Sequence, residues 1–528
     1  MPRILMALAL ALAQVTLSLA TPAAAQTLRM GVGAQVTSVD PHYHNISPNS
    51  AFATTIFDTL LEMDARARPV PHLALRWHPV APDAWEIELR QGVRFHNGSA
   101  FTAEDVAFTV ERVRGVQNSP GSYATYLTSI RAVEILAPHR LRILTHGPDP
   151  LLPVNLAMVP MLDRETHQGA TTEAFNSGQL AIGTGPFRLV SYRAGDRMEL
   201  QRNEAWFGPR PAWARVDYRM ITNDAARTAA LLSGDVDIID QVATSDIERL
   251  GRDDRLRLSR ADSLRLVYFF LDRSREGPSP FVTDNDGKPL PQNPFHDIRV
   301  RRALALALDR NAIVSRVMEG AARATAQFMP PGAFGHVPEL EPPPAANLEA
   351  ARRLLAEAGF PQGFRLTLHG PNDRYPNDAR IVQAAGQMWS RIGIRTTVDV
   401  APYASFVTRA SRQEFAAFLV SWGSSTGEPS AGLRAVLASW NRERGLGAVN
   451  RARYSNPAFD TLLQTATQEL DDGKREALLR QATSLAMRDV AMIPSHLQLN
   501  IWAMRRGFTH EARTDERSRP QDVSPAPP

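Results

Sequence analysis

The sequence predicts an α/β protein with mixed β-sheets flanked by helices and with more than one domain. Stretches with the alternating apolar pattern of strands are interleaved with stretches of helical period along the whole chain. The chain has 528 residues, which is too many for one compact hydrophobic core. No repeat period of the kind that marks solenoids or propellers appears.

The strands are predicted from the alternation of apolar residues. Leu28, Met30 and Val32 alternate and give a first strand, and Trp85 and Ile87 belong to a later one. Further strands are predicted near residues 187–189, 198–200, 267–271, 364–368, 395–400 and 418–421.

The helices are predicted from capping residues at their starts and glycines at their ends. Thr102 caps a helix that has Asp105 three residues on, followed by an apolar stripe that includes Val106 and Val110. Other helices are predicted at 224–233, 298–319, 347–359 and 377–392.

Residues 1–25 have the pattern of a secretory signal peptide. Arg3 precedes an apolar run over residues 4–20, and the small residues Ala23 and Ala25 fit a signal-peptidase site. The run is rich in alanine and is interrupted by polar residues, which favours a cleaved leader over a membrane anchor. We expect cleavage after Ala25 and a soluble mature chain.

The chain contains no cysteine, which excludes disulfides, thiolate metal sites and cysteine nucleophiles. It also excludes a lipid anchor attached to a cysteine after the leader. A secreted protein without such an anchor stays near its membrane when a compartment confines it, and the Gram-negative periplasm does so. We therefore expect a periplasmic protein with no lipid anchor.

The charge balance argues against nucleic acid as a partner. Lys and Arg total 59 and Asp and Glu total 55, so the net charge is +4, and loss of Arg3 with the leader lowers it to +3. Nearly all of the positive charge is arginine, and no basic block stands out.

A search for catalytic motifs finds no constellation above background. Gly31 and Gly33 lack the third glycine of a dinucleotide loop, and no G-x-S-x-G or H-E-x-x-H motif occurs. His42 and His44 could share a metal, but no third histidine is near them in sequence, so a solvated loop is the favoured interpretation. We expect no enzymatic activity, no cofactor and no metal.

Several segments together resemble one protein family across almost all of the mature chain. They are residues 37–42, 85–98, 101–106, 183–187, 203–206, 229–237, 297–304 with 309–310, and 350–359. In this order they are similar to the bacterial extracellular solute-binding proteins of family 5, the peptide, nickel and opine type.

The resemblance implies a two-lobed periplasmic binding protein of type II with an extra inserted domain, whose lobes close on a ligand. We expect the strands that cross between the lobes near 267–271 and 493–500. The division that we predict is a signal peptide at 1–25, lobe 1 at 26–56, 183–270 and 491–513, an inserted domain at 57–182, lobe 2 at 271–490, and a disordered tail at 514–528.

The segment 418–429 resembles the ligand loop of the family, which includes Trp422 and Gly423. In the peptide binders an aspartate three positions after this tryptophan pairs with the α-ammonium group of the peptide, and Ser425 stands there in this chain. A serine carries no charge to neutralise a buried ammonium group. This departure puts ordinary anchoring of a peptide in doubt, whereas Glu428 is interpreted as part of a structural turn.

Other ligand contacts are implied by the same resemblance. Tyr403 falls where the family has an aromatic wall residue, with a core aromatic as the equal alternative. Asn45, Ile46 and Ser47 fall where the family's first loop approaches the ligand, with a plain surface loop as the alternative for each of them.

The resemblance implies a receptor that captures a peptide or peptide-like small solute and delivers it to the permease and ATPase subunits of an ABC importer at the inner membrane. The same role for a non-peptide solute, such as an oligosaccharide or an opine, is the first alternative. A secreted hydrolase and a periplasmic chaperone-like protein are the second. We expect a monomer, because a lobe that must swing is hard to reconcile with a large fixed interface.

Overall fold

The computed structural model describes residues 27–424 and 426–527. The predicted leader and the cleavage position after Ala25 lie outside the described residues, and so does Ser425.

The strands are β1 Thr27–Val32, β2 Leu61–Met63, β3 Pro69–Pro71, β4 Ala74–Ala81, β5 Ala84–Leu89, β6 Ile130–Ala137, β7 Arg140–Thr145, β8 Phe187–Arg193, β9 Arg197–Arg202, β10 Arg215–Met220, β11 Ile238–Ile239, β12 Leu256–Leu271, β13 Val282–Thr283, β14 Ala322–Ala324, β15 Arg365–Pro371, β16 Arg395–Ala401, β17 Ala417–Gly423, β18 Ile493–Arg505, β19 Phe508–His510 and β20 Val523–Pro525.

The α-helices are α1 Ser47–Ile56, α2 Ala103–Gly115, α3 Leu152–Leu156, α4 Arg164–His167, α5 Thr172–Asn176, α6 Asp224–Ser233, α7 Ile247–Gly251, α8 Ile298–Ala307, α9 Arg310–Ala312, α10 Leu348–Glu357, α11 Asp378–Ser390, α12 Tyr403–Ser411, α13 Ser430–Gly432, α14 Pro457–Ala466 and α15 Asp472–Arg488. Two π-helical turns, Ile313–Val317 and Leu433–Leu437, continue α9 and α13.

A mixed sheet of twelve strands runs through the middle of the described chain. Ten of its strands lie in the order β13-β15-β17-β12-β18-β11-β1-β10-β9-β8, with β14 beside β18 and β16 beside β15. Strand β1 pairs in parallel with β10 and β11, whereas β18 runs antiparallel to both β11 and β12. The prediction of mixed sheets with flanking helices is confirmed.

Two long neighbouring strands, β12 and β18, join the two halves of this sheet. The first part of β12 pairs with residues 499–505 of β18, and its last part pairs with residues 493–497. On β12, strand β17 pairs with residues 265–271. On β18, strand β11 pairs with residues 503–504. The pairing is that expected for the strands predicted to cross between lobes.

Both faces of β12 are covered along the part of the strand that pairs with β17. Val267 and Phe269 pack into one buried core cluster, whereas Leu266, Tyr268 and Phe270 pack into another. A strand buried on both faces is read from sequence as a continuous apolar run, as this one is. The strand therefore fixes the position of residues at the ends of its buried part.

A separate antiparallel sheet of four strands, in the order β4-β5-β7-β6, packs with α2. The predicted cap of α2 is present, because the carboxylate of Asp105 accepts a hydrogen bond from the backbone N–H of Thr102 at 2.8 Å. The sheet falls inside the region predicted as an inserted domain, and the boundaries of that domain stay a prediction.

The helix predicted at 298–319 is interrupted. Helix α8 ends at Ala307, and Leu308 has the extended backbone angles φ −79° and ψ 106°. Asp309 then caps α9, since its carboxylate accepts a hydrogen bond from Ala312 N at 2.9 Å. An aspartate at this position favours the start of a new helix over continuation of the first, because its carboxylate accepts a hydrogen bond from a free backbone N–H of the new first turn.

The tail predicted to be disordered is ordered through residue 527 in the structure. Strand β20 pairs with β19, and the arginines of the segment form buried ion pairs. Arg513 contacts Asp515 at 2.8 Å, and Arg519 contacts Asp522 at 2.7 Å and Glu62 at 2.6 Å. The prediction was wrong because charged composition suggested solvation, whereas these charges are of both signs and neutralise one another.

None of the helices in the described ranges has the length and apolar character needed to cross a bilayer.

We expect Asp515→Asn to lower the free energy of unfolding by about 3 kcal/mol, because it leaves buried guanidinium groups without their counter-charge. Burial raises the pKa of Asp515, but Arg513 and Arg517 outweigh that effect and hold the pKa at about 2. The stabilisation by Asp515 is therefore present above about pH 4, the ordinary range of an unfolded aspartate. It is lost as the pH falls through the folded pKa.

Denaturant unfolding at several pH values measures this effect. Glu511→Gln is the matched control, since Glu511 is an exposed acid four residues before Asp515 in the sequence. Equal stability of the Asp515→Asn variant and the parent at pH 7 would contradict a stabilising role for the buried network.

Candidate ligand-binding site

Two adjoining cavities lie beside the crossing strands, between the two halves of the central sheet. The first cavity has a volume of about 590 Å³ and is lined by residues 240–245, 374–377 and 498–502, among others. The second cavity has a volume of about 500 Å³ and is lined by residues 45–48 and 514–517, among others. Each has the size of a small-molecule site.

Four residues line both cavities: Gln241, Arg265, Arg374 and Glu516. Their side chains form the boundary between the two cavities, so that one elongated solute could contact all four. Two of the four carry a positive charge and one carries a negative charge.

The structure brings four of the predicted contact residues together in one wall. Asn45, Ile46, Ser47 and Gly423 all line the second cavity. The first three precede or begin α1, and Gly423 ends β17. Residues far apart in the chain thus meet at this cavity.

Trp422 does not line either cavity. Its indole packs towards Gly432 and Phe328, because a Cβ atom added to Gly432 would lie 2.8 Å from Trp422 Nε1 and 3.2 Å from the ring of Phe328. The indole N–H is buried and has no hydrogen-bond partner among the described residues. Trp422 therefore supports the loop from behind the wall.

Tyr403 contacts the cavities through Arg374. The guanidinium group of Arg374 lies over the rings of Tyr403 and Tyr375, at 5.4 Å and 5.8 Å from their centres. The two rings meet edge to face at 6.3 Å, and Tyr375 lines the first cavity. Cation–π contacts of this kind orient an arginine without neutralising its charge. Tyr403 thus holds the arginine in place and is not itself part of the wall.

Arg265 occupies an irregularity in β12. The pairing with β18 shifts register between Asp262 and Leu266, and Ser263 Oγ accepts a hydrogen bond from Arg265 N at 2.9 Å. Such bulges redirect the side chains that they contain. The guanidinium group of Arg265 lies against Gly423, where an added Cβ atom would come within 2.9 Å of Arg265 Cζ.

The cavity walls carry one uncompensated positive charge. Arg265 approaches Glu516 at 3.5 Å. Arg374 is exposed, and within residues 27–424 and 426–527 no carboxylate lies at ion-pair distance from it. A planar guanidinium group in a cavity is suited to bind a carboxylate or a similar acid of a ligand.

The chain after β17 is held in place at Gly427 and at Glu428. Gly427, with φ 73°, lies against the backbone of Ala67, where any side chain would collide. Glu428 is buried and accepts hydrogen bonds from Ser430 Oγ at 2.6 Å and Arg475 Nη1 at 3.1 Å. Burial raises the pKa of Glu428. Its contacts fit the structural turn predicted for it.

The two histidines considered as a metal pair point to different surroundings. His42 is fully buried, with Nε2 at 2.7 Å from the carbonyl oxygen of Pro160, so the solvated loop expected for it is wrong. Burial lowers the pKa of His42 to about 3. His44 instead contacts Thr37 Oγ1 at 2.9 Å. Among the described residues no group of three or more potential ligands could hold a metal.

The sequence did not single out Arg265, Arg374, Gln241 or Glu516. Arginine supplies nearly all of the positive charge, so no single one could be distinguished. Glu516 fell in the segment predicted to be disordered. The register shift that directs Arg265 depends on pairing between strands more than 200 residues apart in sequence.

The chain is similar to known solute-binding proteins over nearly its whole length. The glutathione-binding protein GsiB of Salmonella typhimurium is 25% identical over 494 residues, which cover 92% of this chain and 92% of that protein. HbpA2 from Haemophilus parasuis matches in structure with a TM-score of 0.82 at 23% identity, over 95% of this chain and 100% of that chain.

A second solved structure contains a ligand. DppA from Helicobacter pylori, described as associated with an ABC transporter and in complex with the peptide STSA, matches with a TM-score of 0.72 at 22% identity. The match covers 95% of this chain and 98% of that chain. These likenesses confirm the predicted two-lobed periplasmic-binding-protein fold.

The family itself is settled by a match to the model described as "Bacterial extracellular solute-binding proteins, family 5 Middle", which spans residues 68–443, more than half of the chain. This confirms the resemblance on which the prediction of a receptor was based. The chain belongs to the bacterial extracellular solute-binding proteins of family 5.

Proposed function

We propose that this chain is the periplasmic receptor of an ABC importer, and that its solute is a peptide or peptide-like small molecule with a free acid group. The observation that carries the proposal is Arg374, which lines both cavities and has no carboxylate partner in the described part of the chain. A solute acid would supply the missing counter-charge. A charge-assisted bidentate contact is among the stronger contacts that a cavity can offer.

The relatives support a peptide-like solute. GsiB is named for binding glutathione, and DppA holds a peptide in its structure. Both ligands carry carboxylates beside backbone amides, and the second cavity offers hydrogen-bonding groups from Asn45, Ser47 and Ser424. A neutral oligosaccharide would leave Arg374 without a counter-charge, which makes it the weaker alternative.

The receptor role needs no bond to be made or broken. Closure of two lobes around a solute excludes water and increases contact area, and the closed form is what a permease can recognise. In this proposal the leader at 1–25 directs the chain to the periplasm. The mature chain has no lipid anchor and works there as a monomer. Permease and ATPase subunits at the inner membrane are its partners.

The proposal retains the predicted division of the chain. Lobe 1 comprises 26–56, 183–270 and 491–513, and the ordered segment 514–527 now joins it. The inserted domain is 57–182 and lobe 2 is 271–490. Asn45, Ile46, Ser47 and Gly423 contact the solute in the second cavity. Trp422 and Tyr403 act from behind, and Ser425 is a proposed contact in the same loop.

We expect the purified mature chain to carry one solute per molecule and to unfold at a higher temperature when that solute is bound. Ligand at a hundred times its dissociation constant stabilises a protein by about 2.7 kcal/mol. Native mass spectrometry of freshly purified protein, followed by thermal unfolding with glutathione and trialanine, measures both effects. A chain that carries no solute and is stabilised by neither probe nor by other small acids would contradict the receptor role.

We expect Arg374→Ala to weaken binding of an acidic solute by about tenfold to a hundredfold, as loss of a charge-assisted contact does. Isothermal titration calorimetry with the solute found by mass spectrometry measures this. Arg412→Ala is the control, since Arg412 is an exposed arginine outside both cavities. Unchanged affinity in the Arg374→Ala variant would show that the acid binds elsewhere.

We expect Gly423→Ala to weaken binding while changing the stability of the unliganded protein little. The new methyl group would displace the guanidinium group of Arg265, which is the flexible end of a side chain and can move. Calorimetry and thermal unfolding of the same variant separate the two effects. A variant that binds as tightly as the parent would show that the position of Arg265 does not matter for the solute.

A further inference from the structure

We propose that Glu516 is the residue that contacts the cationic group of the solute, in place of an acid in the loop of Trp422. This inference rests on the proposed function and adds that the solute carries an ammonium group as well as an acid. It also assigns a role in specificity to the C-terminal segment. Ser425 offers no charge for such a group, so a zwitterionic solute needs another carboxylate in the walls.

The other carboxylates of the two cavities already have close partners. Asp224 contacts Arg227 at 2.7 Å, and Asp515 contacts Arg513 at 2.8 Å. Asp240 accepts hydrogen bonds from Gly33 N at 2.7 Å and Ser518 Oγ at 2.8 Å.

Glu516 differs from these three acids. Its closest ionic contact is Arg265 Nε at 3.5 Å, and about a third of its side chain is exposed. It is also the one carboxylate among the described residues that lines both cavities. An acid with a loose contact can exchange that contact for a solute cation at little cost, whereas Asp515 would have to abandon a buried ion pair.

The backbone holds Glu516 in an unfavourable conformation. Its φ is 64°, in the left-handed region that residues other than glycine rarely adopt. Gln241, with φ 46°, and Asn377, with φ 58°, line the first cavity and share this feature. Strained residues persist where their surroundings fix them, and they gather at ligand sites. Buried Arg513 and Arg517, on either side of Glu516, provide that fixation.

The charges on the boundary match a zwitterion. Arg374 would bind the solute acid and Glu516 would bind the ammonium group, since both line the two cavities. Arg265 would give up its 3.5 Å contact with Glu516 when the ammonium group binds. A solute with an acid but no ammonium group would leave Glu516 as it is in the unliganded protein. Such a solute would make no contact with Glu516 and would bind more weakly.

The test compares trialanine with N-acetyl-trialanine, which differ in the ammonium group, on the mature chain by isothermal titration calorimetry. We expect the parent to bind trialanine at least tenfold more tightly. Glu516→Gln should bind the two probes equally, and should bind N-acetyl-trialanine as the parent does. Glutamine has the same size, and thermal unfolding checks that the variant is folded. Glu511→Gln, which changes an exposed acid five residues before Glu516, should keep the preference.

A second variant separates a contact from a structural role. Glu516→Gln combined with Ser425→Asp should regain a preference for trialanine, because an acid returns to the loop, whereas general damage to the site would not be repaired.

A Glu516→Gln variant that keeps the preference overturns the inference. So does a parent that binds both probes equally, and in that case the receptor function stands. A parent that binds neither probe while it carries another solute overturns both this inference and the peptide part of the proposed function.

Discussion

The pairing of β12 with β18 is the constraint on which the rest of the structure depends. These two neighbouring strands run through both halves of the central sheet, so the cavities beside them lie where the two halves meet. The register shift between Asp262 and Leu266 falls at this meeting point and turns Arg265 towards the cavities. A fully regular ladder would give no such irregularity at this position. The pairing of β12 with β18 therefore determines where the site lies and places the positive charge of Arg265 in its wall.

The second feature that positions the site is a set of buried ion pairs in the C-terminal segment, residues 513–522. Arg513, Asp515, Arg519 and Asp522 form ion pairs within the segment. Arg519 also contacts Glu62, and Arg513 donates a hydrogen bond to the carbonyl oxygen of Met63, so the segment is attached to the body of the protein. Buried pairs of this kind add little net stability compared with apolar packing, but breaking one is costly. Their consequence is positional, because they hold Glu516 at the boundary of the two cavities. A partly exposed acid of this segment thus becomes part of a defined cavity.

The fold class and most elements were predictable because they depend on local pattern. Alternation gave β1 and β5, and the cap at Thr102 gave α2. The ladder of β12 was predicted too short, since apolar periodicity marks only the part of the strand that is buried on both faces. The helix over 298–319 was predicted too long, because Asp309 reads as an ordinary helical residue until its capping bond is seen.

The site was predictable only in part, for a similar reason. The resemblance to the family assigns roles by position along the chain, and four of the residues that it assigned, Asn45, Ile46, Ser47 and Gly423, line the second cavity. Arg374, Arg265 and Glu516 depend on a loop, a bulge and a buried ion network, none of which has a local signal. The most direct test is a crystal structure of the mature chain with the solute it carries from purification. We expect that solute beside the crossing strands, with an acid group on Arg374, whereas a solute bound away from this boundary would contradict the assignment of the site.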